Sequence, residues 1–146
     1  MNICIINGPN LNLVGRRQPE IYGSEYFEDY LEKLIQKYPN INITYYQSNV
    51  EGELINQLQE SGFVCDGIIL NTGGYTHTSV AIADCVSSIR TPVIEVHISN
   101  ILNREEYRHS SLVSKSCAGS IIGFGLPGYE LALKYFAELK WFNSLQ

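Results

Sequence analysis

The stretch Asp66-Gly67-Ile68-Ile69-Leu70-Asn71-Thr72-Gly73-Gly74 decides the architecture. Its apolar core offers no alternation of polar and apolar positions, so the strand it forms must be covered on both faces. That condition belongs to a parallel sheet sandwiched between helices. The paired glycines end the strand and leave room for close backbone approach. Working toward the C-terminus, Thr78–Ile89 reads as a helix, Pro92–Ile98 as a strand carrying Glu95 and His97, and Ser116–Gly125 as a strand interrupted by glycine. Tyr129, Ala132, Leu133, Phe136 and Ala137 then recur at helical spacing. Toward the N-terminus, Glu51–Ser61 places Leu54, Ile55 and Leu58 on one helical face before Gly62, and Ile41–Gln47 alternates Ile41, Ile43 and Tyr45 as a strand. Phe27, Tyr30, Leu31, Leu34, Ile35 and Tyr38 mark a helix running from Ser24 to Pro39-Asn40, with Ser24 as its expected cap and Glu25 and Glu28 near its positive end. Asn2–Asn7 is an apolar opening strand that breaks at Gly8-Pro9-Asn10.

Strands alternating with helices in this way give an α/β fold: a flavodoxin-like five-stranded parallel sheet of order 2-1-3-4-5 with helices on both faces. Ligands of such sheets bind outside the carboxyl ends of the strands, so the loops after the first, third and fourth strands should converge on one crevice. At 146 residues, 45% hydrophobic and 17% charged, the composition excludes disorder and fibrous repeats. A single domain over 1–146 is expected, with an active-site lid loop at about 11–23. The longest apolar runs are far short of a bilayer span and the start lacks a signal-peptide pattern, which points to a cytoplasmic protein with no membrane partner. Four cysteines, Cys4, Cys65, Cys85 and Cys117, lie far apart with no metal-site spacing, and are read as reduced and structural.

A net charge of −5 argues against nucleic acid as a partner. Four of the five arginines nevertheless fall in two loops, as Arg16, Arg17, Arg104 and Arg108. That partition points to recognition of a small anion by guanidinium forks, the plainer account being surface ion pairs with Glu20, Glu105 and Glu106. Tyr22 closes the long first loop. A phenol with a reference pKa of about 10 needs a neighbouring cation to act as a base near neutrality, and Arg17 lies five residues away. Neither GxGxxG nor GxxxxGK[ST] occurs, which disfavours a nucleotide. The helix start after the third strand offers unpaired N–H groups to an anion, with Thr76 or Thr78 as expected cap. The two-residue period puts Glu95 and His97 on one face, where a carboxylate can hold an imidazole protonated for general acid work. Asp84 is a charge on an otherwise apolar helix, facing solvent or an arginine of another subunit.

At these residues the sequence closely resembles the type II 3-dehydroquinases. The matching segments are Asn7–Leu13, Gly15–Gly23, Gln47–Asn49, Glu51–Leu54, Asn71–Ser79, Pro92–Asn100, Arg104–Ser110 and Gly123–Leu133, in family order across nearly the whole chain. The resemblance implies dehydration of 3-dehydroquinate to 3-dehydroshikimate in the shikimate pathway, with no metal or organic cofactor and a subunit assembled as a dodecamer built from trimers. It assigns Tyr22 as base beside Arg17, His97 as acid oriented by Glu95, and Asn10 as holder of a water that stabilises an enolate. It makes Asn71, His77, Arg108 and the backbone N–H groups of Ile98 and Ser99 substrate contacts, Arg104 a supporting lid residue, and Asp84 a contribution from a neighbouring subunit. Departures are peripheral: Gln18 replaces a common Glu, Val50 a frequent His, and Ile101-Leu102-Asn103 the usual Val-His-Ala. The rivals by fold analogy are a flavin- or phosphate-binding protein and a catalytically silent scaffold.

Overall fold

A computed structural model describes residues 1–144, with side chains through residue 139. Five parallel strands, β1 (Asn2–Asn7), β2 (Asn42–Gln47), β3 (Gly67–Asn71), β4 (Val93–His97) and β5 (Gly119–Ile122), pair in the order β2-β1-β3-β4-β5. The expected order is the observed one. The pleat sorts β1 between two cores. Ile3 and Ile5 join the layer formed with helices α2 (Phe27–Lys37) and α5 (Pro127–Ser144), through Phe27, Leu34, Tyr129 and Phe136. Cys4 and Ile6 face α3 (Glu51–Ser61) and α4 (Val80–Ser88), through Leu54, Leu58, Ile82 and Val86. Every residue of β3 and β4 is buried, the polar Asn71, Glu95 and His97 included, as strands covered on both faces by helices must be.

All four cysteines are free; Cys4 and Cys85 are buried, and Cys65 and Cys117 half-buried. No described helix is long and apolar enough to cross a membrane.

Two expected caps are corrected. Ser24 lies outside α2, whose N-cap is Tyr26 in extended conformation without a side-chain bond. The chain between them is not helical, so the serine stands too far from the first turn to reach its amides. The helix after β3 begins at Val80, and Ser79 caps it by accepting from the Ile82 amide at 2.9 Å. Residues Gly73–His77 instead form a tight 3₁₀ turn in which the Thr76 hydroxyl meets Thr72 at 2.8 Å. The long first loop also contains a one-turn helix, α1 (Pro19–Tyr22), that periodicity cannot reveal at such length.

Two loops converge at the carboxyl edge because Gly8 has no side chain. A Cβ there would lie 2.6 Å from the Thr72 carbonyl oxygen, so the turns after β1 and β3 can touch only at glycine. The Gly8 amide donates to Asn71 O at 2.7 Å and fastens the contact.

Candidate active site

Beyond the carboxyl ends of β1, β3 and β4 lies a cleft enclosing about 660 Å³ of empty space, its open mouth included. Asn10, Arg17, Tyr22, Asn71, His77, His97, Ile98, Ser99, Arg104 and Arg108 all line it. Glu95 sits one layer deeper on β4. Asp84 does not belong to this cleft. It is exposed on α4 beside Phe63, Cys85 and Ser88, and its carboxylate has no partner among the described residues. Arg16 also falls outside the cleft and lies over the Tyr26 ring, 5.5 Å from its centroid.

The cationic side is built around one phenol. Tyr22 Oη accepts from Arg17 Nη2 at 3.1 Å and from Arg104 Nη1 at 3.0 Å, one guanidinium from each of the two arginine loops. Arg104 Nη1 also donates to Ser99 Oγ at 3.1 Å, which anchors it to the end of β4. Arg104 is therefore the second direct partner of the phenol. Sequence reasoning placed it only in support, because its 82-residue separation from Tyr22 hides the contact. Arg108 is held by Glu105 at 2.8 Å and Arg104 approaches the same carboxylate at 3.7 Å, so the expected ion pairing and the shared cleft coexist.

Opposite stand two imidazoles with nearly parallel rings, His77 and His97, 6.3 Å apart. His77 Nδ1 donates to the Ser110 carbonyl at 2.8 Å. Burial, reinforced by the neighbouring His97 and Arg108 charges, pushes His77 below its ordinary value. His97 Nε2 lies 3.2 Å from Glu95 Oε1, without the alignment of a good hydrogen bond. Ser111 Oγ donates to Glu95 Oε1 at 2.6 Å and Ser120 Oγ to Oε2 at 2.8 Å. Burial alone would raise the Glu95 carboxyl, but His97 and the two hydroxyls outweigh it and hold the group below the ordinary carboxylate range. Glu95 is thus an anion despite being 1% exposed.

The floor is a buried polar bridge. Asn7 and Asn71 stand side by side at the ends of β1 and β3. Tyr129 Oη donates to Asn7 Oδ1 at 2.8 Å and accepts from Asn71 Nδ2 at 3.0 Å. Burial pushes the Tyr129 phenol far above the usual tyrosine range, so its hydroxyl proton stays in place. Asn71 Oδ1 accepts from the Gly73 amide at 3.1 Å, which leaves one amide hydrogen of Nδ2 for the cleft. Asn10 is held in the left-handed region, φ 68°, by its own amide donating to Asn49 Oδ1 at 2.9 Å. Asn49 is the last residue of the Gln47-Ser48-Asn49 motif, to which the sequence alone assigned no task.

The site therefore joins a phenol contacted by two guanidiniums to a carboxylate-backed imidazole, with asparagine amides and Arg108 lining the same cleft. Among the described residues, no group of three or more His, Cys, Asp or Glu side chains could hold a metal ion. The profile of Dehydroquinase class II matches residues 1–137. A 3-dehydroquinate dehydratase of Prochlorococcus marinus (strain NATL1A) is 48% identical over 136 residues, covering 92% of this chain and 94% of that protein. One from Exiguobacterium sp. (strain ATCC BAA-1283 / AT1b) is 47% identical over 144 residues, 98% of each chain. The crystal structure of type II dehydroquinase from Butyrivibrio crossotus DSM 2876 superposes with a TM-score of 0.90 at 45% identity, covering 94% of this chain and 97% of that one. By sequence and by fold, this chain belongs to the class II dehydroquinase family.

Proposed function

We propose that this protein is a hydro-lyase that converts 3-dehydroquinate to 3-dehydroshikimate in the shikimate pathway. The observation that carries the reading is the double guanidinium contact on Tyr22 Oη inside the cleft that also holds His97. Negative charge on that oxygen is met by two fixed cations, so the phenolate can take a proton from the carbon next to the substrate ketone. The electron pair of the broken C–H bond moves into an enolate. A water held by Asn10 stabilises its oxygen. The enolate then reforms the ketone while the new carbon–carbon double bond forms and the carbon–oxygen bond to the departing hydroxyl breaks. His97 donates the proton that makes the leaving group water, with Glu95 behind it to stabilise the imidazolium. Release of product and exchange with solvent return the proton from Tyr22 and restore the one lost by His97.

Arg108, Asn71, His77 and the backbone of Ile98 and Ser99 bind the substrate hydroxyls and carboxylate in this reading. Arg108 explains how an acidic protein takes an anionic substrate. The loop at about 11–23 acts as the lid of this single domain, carrying Arg17 and Tyr22 over the substrate. The subunit assembles through trimers into a dodecamer in the cytoplasm, and Asp84, remote from its own cleft, completes the cleft of a neighbour.

The test is an absorbance assay for the conjugated enone product on addition of 3-dehydroquinate, run with and without a chelator. Enone formation at equal rates in both supports the reading; no enone from folded, assembled protein refutes it.

A further inference from the structure

We infer that Ser111 and Ser120 are positioning residues for the proposed acid, acting on His97 through the two oxygens of Glu95. The inference rests on the reaction assigned above and extends it to residues outside the cleft lining. Its ground is the geometry of the hydroxyls. The Ser114 amide donates to Ser111 Oγ at 3.0 Å, which occupies a lone pair of that oxygen and turns its proton toward Glu95 Oε1. Ser120 is the β5 register partner of Glu95 and reaches Oε2 from the adjacent strand. A backbone amide, a hydroxyl and a carboxylate thus form one directed chain that ends on the Glu95 oxygen lying 3.2 Å from His97 Nε2.

A carboxylate buried beside an imidazole can take the proton it should only steady. Two O–H donors reduce its appetite for that proton and fix which oxygen faces Nε2. The groups facing Glu95 are few. His97 lies on its own strand, His77 comes from the turn after β3 with Arg108 beyond it, and Cys117 precedes β5. Burial, followed by the Glu95 charge, pushes the Cys117 thiol to about 12, so it stays neutral and does not compete. Burial disfavours the charged form of His77 as well. The two serines are therefore the donors that, with His97, keep Glu95 ionised.

The experiment compares wild type, Ser111→Ala, Ser120→Ala, the double variant and Ser120→Thr in kcat and KM for 3-dehydroquinate from acid to neutral pH. In parallel, the ring-proton resonances of His97, one of three histidines in the chain, are followed by NMR over the same range. Glu95 protonates at higher pH once its donors are gone. The acid limb of kcat/KM should move up by about one pH unit in the double variant, with KM at neutral pH little changed. The low-pH inflection of the His97 resonances should move with it. Ser120→Thr keeps the hydroxyl and should behave as wild type. An unmoved limb and an unmoved inflection in the double variant overturn the inference, as does Ser120→Thr shifting as far as Ser120→Ala. Should the double variant fail to fold, the single variants decide by the same criteria. Should wild type form no enone, the reaction assignment falls, while the His97 inflection still decides whether the serines act on Glu95.

Discussion

Replacing Tyr129 by Phe removes one oxygen and leaves the ring, whose edge-on contact with Phe27 at 5.0 Å between centroids should persist. The lost hydroxyl makes two hydrogen bonds, to Asn7 and from Asn71, in a residue that is 0% exposed. Each is worth about 1 kcal/mol net. Asn71 lines the cleft, so water can satisfy its freed N–H; Asn7 Oδ1 is fully buried and stays unpaired, at a further cost of about 1 kcal/mol or more. The sum is about 3 kcal/mol, which for a chain of this size lowers the melting temperature by roughly 9 °C. Urea denaturation of wild type and Tyr129→Phe, followed by circular dichroism, measures it, with Tyr135→Phe at an exposed ring as the control. A loss below about 1 kcal/mol would show that the bridge is not the stabilising element described. The variant should also bind 3-dehydroquinate less tightly, because the Asn71 amide loses its fixed direction.

Tyr22→Phe should lower turnover of 3-dehydroquinate by about 10²–10⁴-fold while substrate binding, read by calorimetry, remains measurable; unchanged turnover would remove Tyr22 as the base. Arg104→Ala should impair catalysis as severely as Arg17→Ala if both guanidiniums serve the same oxygen, and steady-state kinetics of the two variants would expose any inequality. Glu95 titrates below its unfolded value, so its contribution to stability is complete above the unfolded carboxyl pKa and is lost as pH falls through the folded one. Glu95→Gln should accordingly flatten the acid arm of the stability curve measured by urea titration at a series of pH values. Gly8→Ala drives a methyl group into the Thr72 carbonyl and should destabilise by about 2 kcal/mol or more while distorting the cleft, both visible in melts and in KM.

Much of this arrangement is legible in the sequence because burial writes itself into composition. Apart from Asn71, Glu95 and His97, β3 and β4 are apolar on both parities, so their place at the centre of the sheet can be read directly, and the sheet rule then collects their loops at one edge. Where local chemistry competes, reading fails. Ser24, Thr76, Thr78 and Ser79 are all capable caps, and only Ser79 meets a free amide, because the turn at Gly73–His77 consumes the residues before it. The serines behind Glu95 were invisible for another reason. Ser120 reaches it only through the β4–β5 register, and Ser111 only through the course of a loop with no period. Arg104 illustrates the same limit: the loop is recognisable, but its aim at Tyr22 is a tertiary fact.

The bond between Tyr129 and Asn7 spans 122 positions, joining β1 to α5. During synthesis the chain emerges from the ribosome in order, so β1 waits for most of its length before the floor of the cleft can close. Until α5 docks, Asn71 is held only by its local bond from the Gly73 amide and the bridge to Asn7 is missing. A nascent or prematurely terminated polypeptide that lacks α5 lacks this floor, so activity should arrive only once that helix has docked.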